Sequence, residues 1–220
     1  MKAADLAAAN RAFDADAHGP VEPIATGDSK IRYVLDRCAG KRVLDLGCVM
    51  HDPAEYRDRY FLHRAIAGVA DILVGLDLHE EGVAALRALG YDARIGDAEA
   101  FAFDEPFDTI VAGDLIEHLG NVEGFLQSAS GALASGGRIV IQTPNAWYWR
   151  NIVKAAPTGE IANNPEHTCW FDPRTLRQLV ARYGLAVRAV EYQSRYARDR
   201  FMPLPRGWKH TSWSAELVRA

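Results

Sequence analysis

The run Arg42-Val43-Leu44-Asp45-Leu46-Gly47-Cys48 restricts the fold more than any other stretch of this chain. Apolar segments without alternation read as strands buried on both faces, which belong to parallel sheets enclosed between helix layers. A glycine just beyond such a strand lets the main chain approach a ligand where a Cβ would clash. Asp45 interrupts the apolar run and so needs a polar task.

Similar runs follow. Ile72-Leu73-Val74-Gly75-Leu76-Asp77 ends in an acid at a strand tip, where a carboxylate can accept hydrogen bonds from two ribose hydroxyls. Then come Gly96-Asp97-Ala98-Glu99-Ala100-Phe101, Phe107 to Asp114, and Gly136-Gly137-Arg138-Ile139-Val140-Ile141-Gln142-Thr143-Pro144-Asn145. Strands are expected at 42 to 46, 72 to 76, 92 to 95, 107 to 112, 137 to 142 and 185 to 192. Helical spacing runs through Ile31, Val34 and Leu35, through Phe61, Ile66 and Val69, from Glu80 to Leu89 and from Val122 to Leu133. Asp172-Pro173-Arg174-Thr175 reads as a helix start, with Asp as N-cap and Pro in the first turn, ending at Gly184. Strands alternating with helices imply a doubly wound α/β fold with helices on both faces.

The order of these signals resembles the class I S-adenosylmethionine (SAM) dependent methyltransferases over roughly residues 30 to 192. The resemblance implies a Rossmann-like, mostly parallel seven-stranded sheet and SAM as cofactor. It also implies that Asp45 and Gly47 border the methionine part, Asp77 with Leu78 holds the ribose, and Asp97 with Ala98 reads the adenine. The family loop usually continues with more glycines. Here it runs Cys48-Val49-Met50-His51-Asp52-Pro53, so Cys48 and His51 join the expected cofactor set in a remodelled cradle, with His51 as an exposed loop residue the alternative. Asp114, at the end of the fourth strand, completes that set.

Chemistry is expected just after that strand. If a helical turn starts at Asp114, then Asp114, Glu117 and His118 at i, i+3 and i+4 share one face. His167 lies further on, beyond Thr143-Pro144-Asn145. An acid, a Glu-His pair and a distant His resemble the metal-binding pattern of small-RNA 2'-O-methyltransferases. That likeness implies Asp114, Glu117, His118 and His167 as ligands of magnesium or manganese, with Glu117, His118 and His167 acting on the acceptor. The plainer alternative is a helix-capping Asp114 beside a structural Glu117-His118 pair.

The chain of 220 residues is read as a single domain: an N-terminal helical cap over 1–30, an acceptor-facing loop at 144–171 and a tail at 199–220. That loop carries Trp147, Tyr148, Trp149, Trp170 and Phe171, which suit sugar faces, with Asn145 among the expected acceptor contacts. The tail is open to three readings: a last strand, a lid or a homodimer contact. A net charge of -4 argues against binding nucleic acid by charge alone, although Arg182, Arg188, Arg195, Arg198, Arg200, Arg206 and Lys209 make the last stretch locally basic. The three cysteines, Cys38, Cys48 and Cys169, are widely spaced and suit a reducing cytoplasm. No apolar run is long enough to span a bilayer. The reading is a cytoplasmic SAM-dependent O-methyltransferase acting on a hydroxyl of a sugar or oligosaccharide, with another small-molecule or RNA hydroxyl as alternative acceptors. A nicotinamide oxidoreductase would call for G-x-G-x-x-G after the first strand, which Gly47-Cys48-Val49-Met50 does not supply. A non-catalytic SAM-binding module would explain the unusual loop but not the retained Asp77, Asp97 and Asp114.

Overall fold

A computed structural model of the chain describes residues 22–50, 52–161, 164–194 and 196–220. Most of the expected N-terminal cap, and His51, lie outside these residues. Strand β1 (Arg42–Leu46) pairs in parallel with β2 (Ile72–Asp77) on one side and β4 (Phe107–Gly113) on the other. Adding β3 (Ala93–Ile95), β5 (Leu133–Pro144), β6 (Leu185–Gln193) and β7 (Ser212–Arg219) gives one seven-stranded sheet of order β3-β2-β1-β4-β5-β7-β6. Only β7 runs antiparallel, inserted between β5 and β6. The expected mostly parallel seven-stranded sheet is therefore the one that forms. Val43, Leu44, Leu46, Ile110, Val111 and Ala112 have no exposed surface, as the unbroken apolar runs require.

Local chemistry fixes the helices. Helix α1 (Ser29–Cys38) is capped by Asp28, whose carboxylate accepts from the amides of Lys30 at 2.8 Å and Ile31 at 3.2 Å. Helices α2 (Leu62–Ala67), α3 (Glu80–Ala88) and α4 (Val122–Ala132) follow. Helix α6 (Pro173–Val180) starts on a complete capping box between Asp172 and Thr175, as its sequence anticipates.

Two elements differ from the sequence expectation, and one of the open readings of the tail is the one that forms. The tail supplies β7, the strand reading among the three, held by Trp213, which has no exposed surface. Within the expected loop of 144–171 a short helix, α5 (Trp149–Ala155), forms but buries none of its residues. A helix that packs no apolar stripe leaves no periodicity to read. The segment after β4 makes a single turn over Ile116 to His118 rather than a helix starting at Asp114.

Glu216 on β7 is buried and ties the layers together. Arg37 of α1 reaches its carboxylate at 2.8 Å, Arg138 of β5 at 3.4 Å and Arg188 of β6 at 3.5 Å. Close packing also governs the strand beside the glycine loop: a Cβ on Gly75 would lie 2.6 Å from Cys48 Sγ and 2.9 Å from His63 Cε1. Both neighbours are buried, so neither can move aside freely. Gly75→Ala should therefore lower the unfolding free energy by about 1–3 kcal/mol, the usual cost of overpacking. Urea titration monitored by circular dichroism would show an earlier midpoint at unchanged slope; an unchanged midpoint would contradict this packing.

Candidate active site and cofactor crevice

Parallel strands deliver their ends to one edge of the sheet, and the expected cofactor residues collect there. Gly47 leaves β1 with φ +72°, a left-handed conformation that glycine adopts without strain, and its amide donates to Leu76 O at 2.9 Å. A Cβ at this position would press on Leu115 Cδ1 at 3.2 Å. The turn is thus built for a residue without a side chain.

Asp77 stands at the tip of β2. One carboxylate oxygen accepts from the amide of Val49 at 3.0 Å and the other from the amide of His79 at 2.9 Å. Each oxygen keeps acceptor capacity, so the carboxylate is oriented by the loop and still able to take two hydroxyl protons. Beside it Leu78 is 65% exposed and offers an apolar surface to solvent. Asp97 accepts from the amide of Glu99 at 2.8 Å, and Ala98 packs partly against the main core. These placements fit an adenosine: a flat apolar platform, a fixed diol acceptor and a Cβ-free turn.

Two expected residues lie below this surface. Asp45 is 3% exposed and its carboxylate meets His63 Nδ1 at 2.8 Å, so its polar task is a buried pair with α2. Cys48 directs its thiol into the packing beneath β2, against Gly75, and burial raises its pKa, aided by the charges of Asp45 and Asp77. Any contribution of Cys48 to a ligand comes from its backbone.

Across the crevice the chain leaves β4 through Asp114, whose φ of 50° is the only positive value among the described non-glycine residues. Asp tolerates this conformation better than most residues. Its amide donates to Gln142 O at 2.9 Å and its carboxylate pairs with Lys30 of α1. That reversal is why Asp114 does not join the face expected of it. The ligand-type atoms of Glu117, His118 and His167 lie within 4.8 Å of one another, and Asp114 is not in that group.

Glu117 has no exposed surface. Its Oε2 accepts from Thr143 Oγ1 at 3.0 Å, while Oε1 is buried without a partner. Burial, then the nearby charge of Asp114, raises its pKa from 4.5 to about 7. His118 and His167 are half-buried and meet edge to face with ring centroids 4.6 Å apart. His167 Nδ1 is likewise buried and unpartnered, and burial followed by the His118 charge lowers its pKa. An orphaned carboxylate oxygen beside an orphaned imidazole nitrogen is a donor set that fits a divalent cation. Trp170 closes the group, its ring 6.0 Å from that of His167.

Several residues that hold this geometry carry no sequence signal. Thr168 clamps the His167 loop onto the turn, its Oγ1 donating to Glu117 O at 3.1 Å and Leu119 O at 2.8 Å. Glu99 accepts from the amides of Gly120 at 2.6 Å and Asn121 at 2.9 Å. Both contacts join segments far apart in the chain, which only the folded topology brings together. Conversely, two residues expected to meet an acceptor are engaged elsewhere. Asn145 is 3% exposed, donating to His210 O at 2.8 Å and to Gly207 O, and Tyr148 is buried with its hydroxyl on Asp199. Both hold the segment after β5 to the tail. Trp147 faces solvent, Trp149 and Trp170 are partly covered, and Phe171 packs on the core.

The sheet order, the glycine turn and the acidic strand tip define a Rossmann-like methyltransferase domain. Residues 25–190 match the family model described as Methyltransferase domain, so the chain belongs to that family. It is 32% identical over 154 residues to a probable S-adenosylmethionine-dependent methyltransferase of Mycolicibacterium smegmatis, covering 69% of this chain and 54% of that protein. It is 29% identical over 150 residues to a ubiquinone biosynthesis O-methyltransferase of Xanthomonas euvesicatoria, covering 63% of this chain and 58% of that one. The matched regions thus span little more than half the length of these curated relatives. Among solved structures, a SAM-dependent methyltransferase from Archaeoglobus fulgidus superposes with a TM-score of 0.62 at 17% identity, covering 86% of this chain and 90% of that one, and so shares the fold.

The raised pKa of Glu117 has a stability consequence of definite sign. Below pH 4.5 the carboxyl is neutral in both folded and unfolded chains and costs nothing; above it the unfolded chain ionises first, and the folded state loses relative stability until about pH 7. A shift of this size corresponds to a penalty on the order of 3 kcal/mol. With chelator present, Glu117→Gln should therefore melt above wild type at pH 8 and lose that advantage by pH 4. Equal differences at both pH values would show that Glu117 ionises freely.

Proposed function

We propose that this domain transfers the methyl group of SAM to a hydroxyl oxygen, and that the hydroxyl belongs to a sugar or oligosaccharide. The observation that carries the reading is the convergence of Glu117, His118 and His167 at the edge where Gly47 and Asp77 frame the cofactor crevice. When bound, SAM supplies a methyl carbon activated by its positive sulfonium. The protein's share is alignment, and positioning alone can lower such a barrier by several kcal/mol.

A hydroxyl is a poor nucleophile, so its proton needs a destination. Glu117 is sealed from solvent whereas the two imidazoles are not. The acceptor therefore meets His118 or His167 first, and one of these rings takes the hydroxyl proton. Glu117, anchored by Thr143, stands behind the rings and steadies the positive charge that forms. The same three residues would hold a magnesium or manganese ion, whose charge would acidify the bound hydroxyl. Trp170 beside His167 offers an apolar face to a sugar ring. The names of the ubiquinone-pathway relatives favour a second reading, a phenolic hydroxyl seated on the same tryptophan.

Three measurements test this reading. Asp77→Ala should weaken SAM by about 2–3 kcal/mol in calorimetry, the range for hydrogen bonds to a charged group, with the fold checked by circular dichroism; unchanged affinity would remove Asp77 from the ribose. Exhaustive chelation should abolish turnover and magnesium or manganese should restore it, while SAM binding persists. Turnover that survives chelation would leave the imidazoles as metal-free bases, and His118→Ala or His167→Ala should then still cost about a hundredfold in rate. A labelled-methyl screen over saccharides, phenols, carboxylates and short RNAs, with mass spectrometry of the product, decides the acceptor. Methyl on a sugar oxygen supports the first reading and methyl on a phenol the second. Methyl only on carbon, nitrogen or carboxylate refutes both.

A further inference from the structure

The loops that leave the same edge of the sheet form a surface of a different kind. β5 ends at Pro144, β6 ends at Gln193 and the antiparallel β7 begins at Ser212, so 145–172 and 194–211 emerge side by side next to the crevice. Hydrogen bonds join them into one unit: Asn145 grips Gly207 and His210, and Tyr148 and Arg150 both engage Asp199. Arg150 also lies over the rings of Trp149 at 4.8 Å and Tyr196 at 5.1 Å.

On the outside of this unit stand Val153 at 61% exposure, Tyr196 at 50% and Phe201 at 74%. These large side chains keep half or more of their surface exposed, on segments beside a well-packed core. Arg150, Lys154, Arg198 and Arg206 are exposed among them. Within 147–156 and 196–209 the lone acid is Asp199, which is buried and spent on Tyr148 and Arg150, while Glu160, Glu166 and Asp172 come later in the first segment. The chain as a whole carries a net charge of -4, so this face is basic against an acidic background.

We infer that this face docks the domain on an anionic bilayer surface, with the apolar side chains entering the headgroup boundary and the basic ones meeting lipid phosphates. Interleaved aromatic and basic side chains are the composition that interfacial anchoring uses, apolar burial and attraction to anionic lipid acting together. An acidic protein partner would use the charge but gives no reason for separate apolar tips spread over two loops. Docking is peripheral: no helix among the described residues is long and apolar enough to cross a membrane. The inference does not depend on which hydroxyl is methylated.

The test is co-sedimentation of the full chain with vesicles of phosphatidylcholine and phosphatidylglycerol in equal parts, against vesicles of phosphatidylcholine alone. Binding should favour the anionic vesicles by about tenfold and weaken as salt is raised. Val153→Ser with Phe201→Ser, and separately Lys154→Glu with Arg198→Glu, should each lower vesicle binding by about tenfold while melting temperature and affinity for demethylated SAM stay at wild-type values. All four side chains are exposed, so these variants should fold. Failure of the wild type to pellet with anionic vesicles would overturn the inference, as would undiminished pelleting of both variants. Retention on immobilised heparin without vesicle binding would assign the face to a soluble polyanion and overturn it too.

Discussion

Parallel pairing of β1 with both β2 and β4 is the constraint on which the rest of this molecule depends. Once Leu44 sits between Val74 and Ile110, the ends of three strands must fall on one edge. Gly47, Asp77 and Asp114 arrive there together although they are spread over almost seventy residues of chain. A one-residue slip in either register would exchange buried and facing side chains and scatter the group. The crevice is therefore a product of sheet pairing, and the loops refine it.

Electrostatics divides that edge into two halves. At the ends of β1 and β2 the acids are tied to amides, as Asp77 is, or hidden in pairs, as Asp45 is with His63. After β4, Glu117 is buried with one oxygen unsatisfied, a costly arrangement that a structural pair would avoid by closing both bonds. Asp114, set aside by its left-handed backbone and paired with Lys30, stays out of the Glu117 group, which holds one carboxyl and two imidazoles.

Much of the fold could be read from sequence because local chemistry announced it. Mainly apolar runs marked β1, β2 and β4, and the Asp172-Pro173-Arg174-Thr175 cap marked the start of α6 to the residue. Pattern could not give partners chosen by topology. Thr143 with Glu117 spans 26 positions, Lys30 with Asp114 spans 84, and neither pair leaves a local trace. The fate of Asn145 was hidden for the same reason: its bonds run to the tail 62 and 65 positions away. Helix α5 escaped because it buries nothing, and although a last strand was among the readings of the tail, its antiparallel place between β5 and β6 left no local signal.

The central claim is that one edge holds the cofactor with its reactive end turned toward Glu117, His118 and His167. A crystal structure with the demethylated cofactor bound tests it most directly. The ribose should lie on Asp77, the adenine between Leu78 and Ala98, and the sulfur should point across the crevice to the two imidazoles. A cofactor seated elsewhere, or one whose sulfur faces away from His118 and His167, would contradict the assignment of this edge.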